Sequence, residues 1–308
     1  MTAATLSLDD AYKSFRDELF DARLIMPTGV RGVYALSSTF EHIVRQWEAY
    51  ATREAADRTY EVVRFPPVLA RSTYLKTDHM ATFPNLMGSV QSFMGDDRNH
   101  MQLANKHAAG EDWTVDLSPT EVMMAPASCY PIYAASTGTL PPGGRAVDLG
   151  GYVFRHEPSD DPARMQIFRM REFVRIGTPD EALEHRNYWL AKGEQMLRAA
   201  GLDVQPVIAN DPFFGRGGRV MAATQREQEL KYELVVPVAS AEKPTAVASA
   251  NYHLDHFSVP FDIKTADGEV AHSACLGFGL ERVTLALFRK HGFDPAQWPA
   301  SVRNVLAL

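Results

Sequence analysis

Cysteine is nearly absent from this chain. Two thiols in 308 residues, Cys129 and Cys275, exclude a disulfide-stapled secreted scaffold and fit a reducing compartment, where thiols serve packing, metals or reactivity. Long apolar runs are missing as well. Nothing approaches the roughly 18 residues needed to span a bilayer, and Asp9 and Asp10 stand where a secretory leader would be basic and then apolar. A cytoplasmic location without membrane contact is the expectation. Positive charge is also scarce: 31 Lys and Arg against 38 Asp and Glu give a formal net charge of -7, with no Lys/Arg-rich run. Nucleic-acid binding needs cations to neutralise phosphates, so no nucleic-acid-wrapping module is expected. Repeats, low-complexity tracts and long linkers are lacking too, and Pro141-Pro142-Gly143-Gly144 reads as an internal turn. The length permits a substantial core, and one domain over residues 1–308 is expected.

Three stretches carry most of the information. Ser38 to Glu41 reads as a capping box, and Phe40, Ile43, Val44, Trp47, Tyr50 and Ala51 fall on one helical face. After Asp57 the period changes to a β-prone run, Tyr60 to Leu69, interrupted by Pro66 and Pro67. Further on, Gly151 to Arg155 reads as a strand, Pro158 to Ala163 as a turn, and Met165 to Ile176 as the returning strand, with Arg155 and Glu157 beside the turn. Near the end, Cys275 leads into Gly277-Phe278-Gly279-Leu280-Glu281-Arg282, read as a glycine-relieved turn opening a helix. Leu276, Leu280, Val283 and Leu287 keep helical spacing there, and His291-Gly292 supplies the stop. Thr178-Pro179-Asp180-Glu181 is another strong helix start. With strands expected at Leu230 to Val238, Thr245 to Asn251 and Val259 to Ile263, the fold class is α+β, an antiparallel sheet flanked by helices.

A GxGxxR string alone is common by chance. Taken in order, however, the three stretches resemble motifs 1, 2 and 3 of the class II aminoacyl-tRNA synthetases, at about residues 38–69, 151–176 and 274–290. The resemblance implies a class II catalytic core, a homodimer built on the first motif, and activation of an amino acid by ATP with Mg²⁺. It assigns Arg155 to the α-phosphate and the substrate carboxylate, Arg282 to the γ-phosphate, Glu157 to the adenine amino group and Phe168 to the adenine ring. Arginine suits such work because its planar fork stays charged and donates paired hydrogen bonds.

From spacing alone, Cys129 and Cys275 read as small buried hydrophobes, since no CxxC is present. The chain also resembles the archaeal-type seryl-tRNA synthetases, and that resemblance implies a catalytic Zn²⁺ on Cys129, Glu172 and Cys275, with an open position for the amino group of the substrate. One departure concerns magnesium. The seryl enzymes carry a Glu six residues before the Asn matching Asn251, whereas Thr245 stands there. Glu233 is the candidate replacement, read equally well as an alternating exposed strand residue. His253 and His256 form an HxxH pair that strand geometry would split between faces, so they read as structural.

Only about two dozen residues follow Arg282, so the expectation is a catalytic core without a tRNA-binding domain. A bare core of this type resembles the bacterial amino acid:[carrier protein] ligases, which pass a small amino acid from its adenylate to the phosphopantetheine thiol of a carrier protein. Glycine, or else alanine, is the expected substrate, in a pocket lined by Ala250, Asn251 and Ala274. Carrier proteins are acidic and so is this chain, which requires a local basic patch; Arg216, Arg219 and Arg226 are the candidates, with a solvated loop and helix start as the other reading. Two rival functions stand beside this one: a truncated seryl-type synthetase that charges tRNA, and an inactive paralogue with a regulatory role.

Overall fold

The apolar face between Phe40 and Ala51 forms helix α1 (Ser38–Glu54), and all six of its apolar positions are buried. The cap differs from the expectation by one residue: Ser37, not Ser38, accepts the Phe40 N–H through its Oγ at 3.2 Å. Glu41 is then free of capping and pairs with both Nη atoms of Arg169 at 2.8 Å. These observations come from a computed structural model that describes residues 7–308, the side chains of residues 215–218 and 221 excepted.

The run from Tyr60 to Leu69 does not form one strand. Proline cannot donate to a ladder, and at Pro66-Pro67 the chain leaves one sheet for another. Strand β1 (Glu61–Val63) belongs to the main sheet, whereas Val68–Ala70 pairs with Leu117–Met124 in a separate three-stranded sheet. The second motif is a hairpin of β2 (Arg145–Phe154) and β3 (Ile167–Gly177), in register from Arg145 opposite Ile176 to Phe154 opposite Ile167. β2 begins six residues earlier than Gly151 because its first half is covered on both faces, and a strand covered on both faces loses the period-two signal.

Thr178 caps helix α2 (Pro179–Ala199) reciprocally with Glu181, as its sequence requires. After α2 come β4 (Gln205–Ile208), helix α3 (Gly215–Glu227), β5 (Lys231–Val236), β6 (Thr245–Leu254), β7 (His272–Gly279) and helix α4 (Leu280–His291). The main sheet has the order β4-β5-β6-β7-β3-β2-β1. Every neighbouring pair is antiparallel except β1 with β2, which is parallel. The expected antiparallel sheet therefore carries one parallel edge strand.

Two local expectations fail. Val259 to Ile263 is no sheet strand: Ser258–Phe261 is a helical turn, and Ile263–Lys264 pairs with Gly138–Thr139 outside the main sheet. Gly277-Phe278-Gly279 is not a turn either. The strand continues to Gly279, which caps α4 at a φ of -82°, and Leu276 lies inside β7.

Helices α1, α2 and α4 cover one face of the sheet. Trp47, Phe173, Trp189, Leu276, Phe278 and Phe288 are packed there in the main core, with Phe173 and Trp189 stacked at 3.9 Å between ring centres. No helix among the described residues is long and apolar enough to cross a membrane.

Candidate active site

The opposite face of the sheet gathers the chemistry-bearing side chains. Cross-strand pairing sets them in rows: Glu233, Ser249, Gly277 and Glu172 are successive partners across β5, β6, β7 and β3, and Lys231, Asn251 and Cys275 form the adjoining row. Side chains two residues apart share a strand face, and all of these residues line one cavity of about 570 Å³. Small-molecule sites occupy roughly 300–1,000 Å³.

The same alternation overturns two expectations. Ala250 and Ala274 sit between the members of those rows, so they turn to the helix-covered face. Both are fully buried, and neither lines the cavity. Asn251, the third residue assigned to the substrate pocket, does line it.

One end of the cavity is cationic. Arg155, just past β2, donates its Nε–H to the Pro126 carbonyl at 3.0 Å. Arg282, in the first turn of α4, donates to the Ala163 and Ala246 carbonyls at 2.7 and 3.1 Å, and its stem runs over Gly279. Their guanidinium carbons lie 5.6 and 5.9 Å from the centre of the buried Phe168 ring. Burial, and then the charges of Arg155 and Arg164, lower Arg282 to about 10. Two cations held this close are relieved by an anion in the cavity. Lys231, in the row of Asn251 and Cys275, is a third buried cation, with Nζ 2.5 Å from Asp211 Oδ1 and 3.3 Å from Glu233 Oε1. Burial works against its charge, yet the two carboxylates prevail and raise its pKa.

The other end is acidic and soft. Cys129, Glu172 and Cys275 all line it. Glu172 Oε1 accepts from the Ser128 N–H and Oγ at 2.8 and 2.7 Å. Cys275 Sγ lies 3.6 Å from both Asn251 Nδ2 and His253 Nε2. Burial pushes both thiols up, and the neighbouring Glu172 pushes them further. Both thiols are thus held protonated in the free site, and a bound cation is the partner that would reverse this by favouring the deprotonated sulfur. In donor chemistry the set fits a soft divalent metal. It is not a preassembled ligand triad, however: among the described residues no group of three or more His, Cys, Asp or Glu side chains stands at metal-binding spacing, since Ser128 holds Glu172 and Cys275 faces Asn251 and His253.

Glu233 lines the cavity, facing Lys231. Glu157 lies outside the lining, and its carboxylate is bonded to Arg164 at 2.5 Å. Arg219 and Arg226 are exposed on α3, and the side chain of Arg216 lies outside the described residues. The HxxH pair is not divided between faces as expected, because β6 ends at Leu254 and both histidines line the cavity, though on different partners. His253 bonds Ser273 Oγ at 3.0 Å beside Cys275, while His256 Nε2 stands 3.4 Å from Asp78. Sequence reasoning missed Lys231, Ser249, Gly277 and His79 as lining residues. The first three were accessible by stepping in twos from Glu233, Asn251 and Cys275, whereas an isolated His79 carried no signal.

No family model matches the sequence. Among curated proteins, the chain is 43% identical over 294 residues to amino acid–[acyl-carrier-protein] ligase 1 of Bradyrhizobium diazoefficiens, covering 95% of this chain and 90% of that protein. Among solved structures, Methanopyrus kandleri seryl-tRNA synthetase, crystallised with an Aquifex aeolicus tRNA for selenocysteine, superposes with a TM-score of 0.81. It shares 22% identity, over 95% of this chain and 60% of that one. Seryl-tRNA synthetase from Pyrococcus horikoshii, complexed with ATP, gives 0.69 at 12% identity, over 96% and 62%. The fold is that of the class II seryl-tRNA synthetase catalytic core, and identity of 43% across nearly the whole chain makes this protein a member of the amino acid–[acyl-carrier-protein] ligase family.

Proposed function

We propose that the chain activates a small amino acid, glycine or else alanine, with ATP to an aminoacyl-adenylate and passes it to the phosphopantetheine thiol of a carrier protein. The observation that carries the reading is the pairing of two chemistries in one cavity: Arg155 and Arg282 about the Phe168 ring, and two thiols with a carboxylate further along the same sheet face. Attack of a carboxylate on an α-phosphate accumulates negative charge on phosphate oxygens, and fixed cations stabilise it. In this reading Arg155 holds the α-phosphate and the carboxylate, Arg282 the terminal phosphate, and Phe168 offers its ring to adenine. Asn251, between Lys231 and Cys275 in the cross-strand row, contacts the amino acid. Gly277 leaves the floor open there, because a Cβ on it would stand 3.1 Å from Glu172 Cγ.

Zn²⁺ would be held by Cys129, Glu172 and Cys275, and when bound it would supply a Lewis-acid position for the neutral amino group of the substrate. Mg²⁺ would enter with the ATP phosphates and draw on Glu233, whose carboxylate is already shared with Lys231. The acidic carrier protein would dock on α3 through the exposed Arg219 and Arg226, beside the exposed Phe214. β1, at the sheet edge with Val62 66% exposed, would seat the second copy of a homodimer. The described residues are read as one catalytic domain working in the cytoplasm.

Amino-acid-dependent pyrophosphate exchange across the small amino acids tests the activation step, and absence of exchange with all of them would sink it. Cys129→Ala is expected to lose bound zinc and exchange together; exchange persisting in a zinc-free variant would refute the metal role. Loading of tRNA in preference to a phosphopantetheinylated carrier protein would select the synthetase reading.

A further inference from the structure

Beyond the thiols, one ring stands across the cavity floor. Alternate residues share a strand face and rise about 7 Å per pair, so the cavity side of the sheet is crossed in steps. The first is Gly279 opposite Met170, under the stem of Arg282. The second is Ser249, Gly277 and Glu172, and the third is Asn251 with Cys275. Along these steps the chemistry passes from the two arginines to the thiols. His253 of β6 comes next; it is half-buried and lines the cavity.

The imidazole is held from behind and touches the site in front. Its Nδ1 lies 3.0 Å from Ser273 Oγ and 3.3 Å from the Tyr133 hydroxyl, and both partners are fully buried. Tyr133 stacks on Phe257 at 4.1 Å between ring centres, and His253 stands edge-on to Phe257 at 5.2 Å. In front, Nε2 is 3.6 Å from Cys275 Sγ, the distance that Asn251 Nδ2 keeps from the same sulfur. At that range the atoms are in contact, and no carbon chain passes between thiol and ring. Swinging the ring aside would cost it both hydroxyl partners and its place against a buried aromatic stack.

Resting on the reading above, in which the amino group sits at Cys129, Glu172 and Cys275 and the carboxylate faces Arg155, we propose that His253 sets the size of the amino acid accepted, closing the space beyond the thiols to any side chain longer than a methyl group. Of the four bonds at Cα, one leads to the amine and one back to the phosphate end. A side chain leaves on the far side, where Asn251 and His253 stand. Glycine puts only hydrogen there, and each added carbon is pressed towards a ring that its backing does not let move. The role is steric: the ring selects by the volume it fills, and neither carries a proton nor holds a metal. Ser273 and Tyr133 are its positioning residues.

Pyrophosphate exchange with glycine, alanine, 2-aminobutyrate and serine reads the selection, as the ratio of kcat/KM for each to that for glycine, so that a loss of folded protein cancels. In the native protein the ratio for 2-aminobutyrate is expected to be lower than one by roughly 100-fold, and in His253→Ser it should rise roughly 10- to 100-fold. Damage to the fold does not produce such a gain. Zinc bound per folded molecule, measured on the same samples, should be the same in both. Ser273→Ala, which frees the ring from its nearer hydroxyl, should raise the ratio roughly threefold and carries the test if His253→Ser fails to fold. Ratios that do not move, or native protein that exchanges 2-aminobutyrate as well as glycine, would overturn the selection. So would zinc lost from His253→Ser without a gain, which would make the ring a metal ligand, and native serine exchange that vanishes in the variant, which would make it a hydroxyl partner. Absence of exchange with every amino acid in the native protein would remove the activation reading and this proposal with it, whereas glycine exchange with an unmoved ratio removes this proposal alone.

Discussion

Gly277 shows how a single residue can be read correctly as special and wrongly in kind. The string Gly277-Phe278-Gly279 looked like a turn that needed glycine's backbone freedom, yet neither glycine has a positive φ. What glycine supplies is space. Cys275, Gly277 and Gly279 share the cavity face of β7 because they are two apart, and a Cβ on Gly277 would stand 3.1 Å from Glu172 Cγ and 3.2 Å from Met170 Cε. Both neighbours are flexible side chains, so Gly277→Ala should fold, at a cost of about 1 kcal/mol of overpacking. Its effect on the cavity should be larger, because Glu172 has to move: pyrophosphate exchange is expected to fall roughly 10- to 100-fold. Urea unfolding and exchange measured on the same sample check this, and native exchange would show that the floor of the site is elsewhere. The same period-two logic explains why Ala250 and Ala274 were misassigned: small residues near Asn251 and Cys275 in sequence sit on the opposite face in space. His79 illustrates the other limit, since nothing local marks a lone histidine that tertiary packing turns into a cavity wall.

Elements were legible where a local signal is redundant. α1 announces itself by a six-residue apolar stripe and a nearby serine cap, and α2 by Thr, Pro and Glu in sequence. The lengths of β2 and the helical turn at Ser258–Phe261 were not legible, because burial on both faces or a four-residue extent leaves no period to read. The start of α2 is also where an element bears on the sheet. The Thr178 N–H donates to Glu181 Oε2 at 2.9 Å, the Glu181 N–H donates to Thr178 Oγ1 at 3.3 Å, and Glu181 Oε1 accepts from Arg175 of β3 at 2.7 Å. Thr178→Ala removes the hydroxyl that satisfies a free helix N–H, and should cost about 1 kcal/mol. The cap is remote from the cavity lining, so exchange per folded molecule should hold while the urea midpoint falls. A midpoint equal to the native one would mean that Glu181 alone anchors the helix.

At the scale of the molecule, layers are joined by charges that composition counts but does not locate. Arg171 of β3, paired with Asp148 of β2 at 2.6 Å, donates to the Thr52 hydroxyl of α1 at 2.8 Å, and Arg169 of β3 links Glu41 of α1 with Glu281 of α4 at 2.8 and 2.7 Å. The α+β class was readable from alternating helices and strands, but the parallel edge strand and these cross-links were not, since both depend on partners far apart in sequence. Buried histidine is the feature here whose consequence is global. His185 of α2 lies against the sheet, its Nε2 donating to the Phe173 carbonyl at 3.0 Å, and burial lowers it to about 4. An unfolded histidine titrates near 6.5. Between these values the unfolded chain binds a proton that the folded chain refuses, so stability is fully present above about pH 6.5 and is lost as pH falls towards 4. From pH 7 to 5 this one group should remove about 2 kcal/mol, seen as a falling urea midpoint. In His185→Gln the midpoint at pH 7 should be lower from lost packing, but its decline between pH 7 and 5 should be shallower than that of the native chain. Parallel declines in the two proteins would assign the acid sensitivity to other groups and show that His185 takes up its proton without unfolding.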